Sequence, residues 1–332
     1  MSAPDIQAEA RLPAELAPEM AALMARVVAE DGPQPDPTTL APAQGRDLSE
    51  RSNRRWNQDL PAIATRSTVH LTADASLGSI ACRMEVIVPE AAAPGAILFV
   101  HGGGFAFCSP QTHERCARLL AIESGLPVLV PDYRLAPEHP YPAGLMDCIA
   151  AFRQAFEASA SAGVKPGPLL VAGDSAGANL ALSVLLHEQA AGKPGAAGAL
   201  LFYGTFDRDF GTPSYRQFAE GPGLTRGKMQ RYWTWYAGPD DQTQDVLACP
   251  LQATDAALGA LPPMHLMAAG VDPLLSDSIN LAARLEAVGR PERLTIVPGV
   301  THGFLQNTID LEAAREALRR AGMDARRMAA KD

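Results

Sequence analysis

The chain has 332 residues, 47% apolar and 20% charged, enough apolar material for one large core or a core with insertions. Its 28 basic and 37 acidic residues give a net charge of −9 with no basic stripe, which argues against a nucleic-acid partner despite the small basic tail of Arg326, Arg327 and Lys331. Cys82, Cys108, Cys116, Cys148 and Cys249 form no close metal-binding pair, the seven histidines make no His-Glu-x-x-His motif, and no apolar run approaches membrane-spanning length, so zinc hydrolysis and stable membrane insertion are not expected.

In chain order, Leu16, Met20, Leu23, Met24, Val27 and Val28 recur on one helical face, and Gly32 with Pro33, Pro35 and Pro37 ends the pattern. The polar face carries Glu15, Glu19 and Glu30, which disfavours anionic lipid, so residues 1–60 read as cap helices over a site mouth. Leu40 to Leu60 is polar and arginine-rich, with Trp56 as its one large aromatic. From about residue 61 to 332, apolar runs alternate with helix-like segments, which predicts an α/β fold built on a mostly parallel, doubly wound sheet.

Ala96–Val100 reads as a buried strand, and His101-Gly-Gly-Gly-Phe105 comes directly after it. Three consecutive glycines let backbone amides turn toward a bound oxygen, so Gly103 and Gly104 are candidate donors and Gly102 shapes the loop. No Lys-Ser or Lys-Thr comes next as in a P-loop, and the spacing is not that of a dinucleotide fingerprint. Val128–Val130 reads as the next strand. Pro131, Pro137, Pro140 and Pro142 stiffen the connection from it to the next helix, and in that connection Asp132, Arg134 and Glu138 are expected to form a charged network bracing the glycine loop. His113 and His139 are read as structural.

Leu169–Ala172 is a strand, Asn179–His187 is helical, and Gly173-Asp-Ser-Ala-Gly177 sits between them. A serine with glycine two residues away on each side suits a strained strand-to-helix turn that exposes a nucleophile. The amide of Ala176 then joins those of the glycine loop as a candidate oxyanion donor. Residues from about 205 to 250 form an insertion, a second cap segment rich in Phe206, Phe210, Tyr215, Phe218, Tyr232, Trp233, Trp235 and Tyr236. These rings either wall a substrate pocket or cement the insertion to the core. Strand Met264–Gly270 delivers Asp272-Pro273, and strand Leu294–Pro298 delivers His302. Residues just past the carboxyl ends of parallel strands converge on one crevice, so Ser175, Asp272 and His302 are the candidate catalytic residues. Asp277 is the rival acid, placed instead in the first turn of the helix that starts near Ser276.

Together His101–Phe105, Asp132-Tyr-Arg-Leu-Ala-Pro-Glu-His-Pro140, Gly173–Gly177, Asp272-Pro273 and His302-Gly-Phe304 resemble the bacterial hormone-sensitive lipase family of carboxylesterases, from about residue 65 onward. Ala178, where relatives often have a second glycine, and Leu275-Ser276, in place of a more charged stretch, depart from the pattern without removing a catalytic group. The resemblance implies an α/β-hydrolase core with a helical cap, no cofactor, and hydrolysis of short-acyl esters. It also implies room beside the glycine loop for esters of bulky tertiary alcohols. An amidase or lactonase would use the same triad, and a non-catalytic ligand-binding relative is disfavoured by the presence of His302. The odd, scattered cysteines and the lack of a basic-then-apolar leader point to a cytoplasmic protein acting on a small-molecule ester, with a homodimer as the candidate assembly. A neutral imidazole base predicts a rate that falls on the acid side.

Overall fold

The computed structural model describes residues 15–239 and 245–330; the first fourteen residues, five within the insertion, and the last two lie outside them. α1 (Pro18–Asp31) starts with proline in its first turn and stops at Gly32, whose φ of +64° suits glycine. α2 (Pro42–Asn53) is next, and a 3-10 turn at Arg54–Asn57 leads to the sheet. Then come β1 (Thr65–Leu71), β2 (Cys82–Val88), β3 (Ala96–Val100), α3 (Glu114–Ser124), β4 (Val128–Pro131), α4 (Ala143–Ser159), β5 (Leu169–Asp174), α5 (Ala176–Ala190) and β6 (Gly198–Phe202). The insertion carries α6 (Pro213–Gln217) and α7 (Arg226–Ala237), and α8 (Asp255–Gly259) lies between it and the next strand. β7 (Met264–Val271), α9 (Leu275–Ala287), β8 (Leu294–Thr301) and α10 (Glu312–Ala329) complete the chain.

The eight strands form one sheet in the order β1-β2-β4-β3-β5-β6-β7-β8; β2 runs antiparallel to β1 and β4, and every other pairing is parallel. Central strands are apolar on both faces because helices cover both. In β3, Ala96, Leu98 and Val100 join the core formed with α4 and α5, whereas Ile97 and Phe99 join the core formed with α3 and α10. β3 and β5 lie side by side, in register from Ala96 with Leu169 to Val100 with Gly173. That register places the glycine loop beside the turn that carries Ser175.

α1 buries Met20 and Leu23 in the α3/α10 core, and its entry is tied to β8 by the Ala17 amide donating to the Gly299 carbonyl at 2.9 Å. The insertion is cemented by its aromatics: Phe206, Tyr215 and Trp233 are fully buried, and Tyr236 stacks on Phe105 with centroids 3.8 Å apart.

The expected network among Asp132, Arg134 and Glu138 does not form. Arg134 instead makes a bidentate bridge to Asp147 of α4, at 2.7 and 2.8 Å. Asp132 pairs with Arg83 of β2 at 2.9 Å, and Glu138 pairs with Arg46 of α2. Each charge pairs with a neighbouring element and not with another residue of the loop. Arg46, which no sequence pattern singles out, also donates to the carbonyls of Ala106 and Ala136 at 2.8 and 2.9 Å, so it braces the far end of the glycine loop.

Candidate active site

The turn between β5 and α5 holds Ser175 at φ +56°, ψ −122°, a conformation that costs on the order of 1–3 kcal/mol for a residue with a side chain. Its amide donates to the Phe202 carbonyl at 2.9 Å, which holds the turn against β6. The flanking glycines are required by close approach. A Cβ on Gly173 would lie 2.3 Å from the Gly177 carbonyl oxygen, and one on Gly177 would lie 2.0 Å from that of Val100.

The loops after β7 and β8 bring the other two residues to this turn. His302 Nε2 lies 2.8 Å from Ser175 Oγ, and His302 Nδ1 lies 2.7 Å from Asp272 Oδ2. Asp272 is fully buried, and its other oxygen accepts the Leu274 amide at 2.8 Å. A carboxylate so held has one oxygen left for the imidazole, which sets the ring's tautomer with the bare nitrogen toward the hydroxyl. Asp277 sits in the first turn of α9 and accepts the amides of Phe206 and Asp207 at 2.8 and 3.3 Å. Burial pushes its carboxyl well above the usual range against the pull of those two amides.

Gly103 and Gly104 have φ of +119° and +59°, and the Gly103 carbonyl accepts the amides of Ala106 and Phe107 in a tight turn. Among the described residues the amides of Gly103, Gly104 and Ala176 meet no acceptor. Gly102 differs. Its amide donates to Asp174 Oδ1 at 2.8 Å, so it is committed to holding the loop rather than to a bound oxygen.

These groups open into a cavity of about 320 Å³ whose wall includes Ser175, His302, Gly103, Gly104, Trp56 and Tyr232. From the N-terminal segment Asn53 and Trp56 reach this wall, and no residue of α1 does; α1 supports the β8 end of the sheet. From the insertion, Leu224, Met229 and Tyr232 contribute, so of its eight aromatics Tyr232 alone lines the cavity. His113 and Asp174 also line it. A larger groove of about 800 Å³, bordered by Pro94, Ile122, Leu126 and Ala329, contains none of these chemical groups. Among the described residues no cluster of His, Cys, Asp and Glu is arranged to hold a metal ion.

A sheet of this order with a serine, histidine and aspartate past its strand ends defines the α/β-hydrolase class, and a family model described as the alpha/beta hydrolase fold matches residues 97–306. The chain belongs to this family. It is 36% identical over 222 residues to carboxylesterase NlhH of Mycobacterium tuberculosis, covering 67% of this chain and 70% of that one. It is 34% identical to esterase LipI of the same organism, covering 76% and 79%. Among solved structures, the ester-hydrolase EH1AB1 from the metagenome of Lake Arreo, in complex with a bipyridine phosphonate derivative, superposes with a TM-score of 0.86 at 33% identity, covering 94% of this chain and 98% of that one. A thermostable esterase from Pseudomonas putida gives a TM-score of 0.86 at 27% identity, covering 96% and 99%. Within the family the chain falls in the bacterial hormone-sensitive lipase group.

Proposed function

We propose that this protein hydrolyses small esters of short- to medium-chain acids through an acyl-enzyme, with Ser175 as nucleophile, His302 as base and Asp272 orienting the imidazole. The chain is a serine ester hydrolase, as its carboxylesterase and esterase relatives support. The observation that carries the residue assignment is the unbroken relay from Ser175 Oγ to His302 at 2.8 Å and from His302 to Asp272 at 2.7 Å, at the wall of a cavity of about 320 Å³.

His302 takes the proton of Ser175 as Oγ attacks the carbonyl carbon; the carbonyl π pair moves onto oxygen and is received by the amides of Gly103, Gly104 and Ala176. The C–O bond to the alcohol then breaks, with the imidazolium returning its proton to the leaving oxygen. Water, deprotonated by the same imidazole, attacks the acyl carbon; the bond from that carbon to Ser175 Oγ then breaks, the imidazolium returns the proton to Oγ, and the acid leaves. Of the two segments expected to form the cap, 1–60 and about 205–250, the cap role falls to Asn53 and Trp56 from one and Leu224, Met229 and Tyr232 from the other. No helix among the described residues is long and apolar enough to cross a membrane. We place the enzyme in the cytoplasm, with a homodimer as its candidate assembly.

A panel of aryl esters from acetyl to decanoyl, run on wild type and Ser175→Ala, tests the reading. We expect turnover to peak at the shorter acids and to fall by roughly a millionfold in the alanine variant. Undiminished hydrolysis by Ser175→Ala, or turnover confined to amides or lactones, would reject it.

A further inference from the structure

The carboxylate of Asp174 lies directly before the nucleophile, is 4% exposed, and has no part in the relay. It touches three elements. Oδ1 accepts the Gly102 amide at 2.8 Å and lies 3.3 Å from His113 Nε2 at the start of α3, while Oδ2 lies 3.4 Å from the Tyr203 hydroxyl after β6. Tyr203 in turn meets the His302 ring edge-on, with centroids 5.0 Å apart. His113 is itself held: the Thr112 hydroxyl spends its proton on the Ser109 carbonyl at 2.8 Å and so accepts from His113 Nδ1 at 2.9 Å, and Nε2 then meets Asp174 as a donor in the doubly protonated, charged ring. Burial raises the Asp174 carboxyl, yet the charge and hydrogen bond of His113 and the Gly102 amide outweigh it and leave it below the usual carboxylate range. A Cβ at Gly102 would lie 2.8 Å from Oδ2, so the glycine is what lets the loop come this close.

We propose that Asp174, anchored by His113, is the positioning residue of the oxyanion loop: by holding the Gly102 amide it keeps the next two amides, of Gly103 and Gly104, aimed at the oxygen that becomes negative. A buried carboxylate held by charge-assisted hydrogen bonds is a stiff anchor, and oxyanion stabilisation depends on donors that need no reorganisation at the moment of reaction. Asp174 makes no bond to the reacting atoms, so its effect appears where the oxyanion appears and not in ground-state binding. This inference rests on the reading of the site as a serine ester hydrolase.

The experiment compares wild type, Asp174→Asn, which keeps an acceptor oxygen, and Asp174→Ala, which keeps none. Readouts are kcat and KM for one aryl ester, and the inhibition constant of a trifluoromethyl ketone. The ketone carbon bonds to Ser175 Oγ, the serine proton passes to His302, and the carbonyl pair becomes an oxyanion. For Asp174→Ala we expect kcat and ketone affinity to fall together by about a hundredfold, the order set by loss of one oxyanion donor, with KM within about threefold of wild type. Asp174→Asn is expected to recover about tenfold of both. Wild-type ketone affinity in Asp174→Ala, a loss confined to KM, or an asparagine variant as impaired as alanine would overturn the proposal. Should Asp174→Ala not fold, His113→Ala decides: kcat and ketone affinity must fall by one shared factor, and unchanged values or unequal factors refute the anchor. Failure of the parent reading shows separately, as wild-type ester turnover that survives Ser175→Ala.

Discussion

At the scale of the residue, the turn around Ser175 shows why two glycines bracket the serine. The sequence pattern suggests backbone tightness, and the structure shows what causes it: Gly177 abuts the carbonyls of Val100 and His101, so the α5 helix start rests directly on the end of β3. Gly177→Ala is therefore expected to destabilise the protein by about 3 kcal/mol or more, read as a lower urea midpoint, because two backbone segments must part to admit one methyl group. Asp272→Asn keeps the shape of the relay but lets the amide's NH2 face the imidazole, favouring the wrong tautomer. We expect kcat to fall by about ten-thousand-fold with the melting temperature little changed, measured by steady-state kinetics beside calorimetry. The candidate residues Ser175, Asp272 and His302 were legible because each ends a recognisable strand motif. Arg46, which holds the carbonyls of Ala106 and Ala136, was not, since a single arginine in a polar helix carries no periodic or motif signal.

At the scale of the element, α7 meets the glycine loop face to face. A Cβ built on Gly104 would lie 2.4 Å from the Tyr232 ring, so the space that three glycines would leave beside a substrate carbonyl is partly filled from the insertion. Gly104→Ala is expected to lower kcat strongly, and adding Tyr232→Ala is expected to return part of that loss; additive losses in the double-mutant cycle would contradict the contact. The same packing bears on alcohol choice. Tyr232→Ala should raise the ratio of tertiary-butyl to ethyl ester hydrolysis, and an unchanged ratio would place the bulky alcohol elsewhere. Other aromatics of the insertion have a different task. Trp233 is fully buried against Phe105 and Tyr236, and its indole donates to the Thr205 hydroxyl at 3.2 Å. Trp233→Ala should cost about 3–5 kcal/mol of stability. Composition alone could not divide these rings between wall and cement, because both tasks select aromatic residues.

At the scale of the whole molecule, stability on the acid side is governed by buried groups beneath the site. His101 is fully buried, its Nδ1 donates to the Gly102 carbonyl at 2.8 Å, and it stacks on Tyr133; burial first, then the nearby His113, push its pKa down to about 3. An unfolded chain takes up this proton near the ordinary histidine value of about 6.5. Between roughly pH 6.5 and 3 the unfolded state therefore binds more protons, and stability declines as pH falls through that window. Asp174 is shifted in the same direction, a lowered carboxyl, so the stability it contributes is complete above the ordinary aspartate value of about 3.9 and is lost below it, adding to the acid-side decline. Melting temperature against pH should slope downward from about pH 6.5, and the slope should flatten in His101→Gln; a curve flat to pH 4 in wild type would contradict the neutral burial of His101. The tie between Arg231 of α7 and Asp36 and Thr38 joins the N-terminal segment to the insertion across the molecule, a link between elements 190 or more residues apart.

What the amino-acid sequence by itself determined was the class of fold, the strands that end in Ser175, Asp272 and His302, and the glycine loop, because buried parallel strands write continuous apolar runs and tight turns demand glycine. What the tertiary structure alone decided was direction: Arg134 turning to Asp147 and not to its loop neighbours, α1 supporting β8 while Asn53 and Trp56 reach the cavity, and the Gly102 amide being taken by Asp174. Local patterns specify which backbone states are allowed. Where a long side chain ends is set by which distant element packs beside it, and that depends on the whole chain.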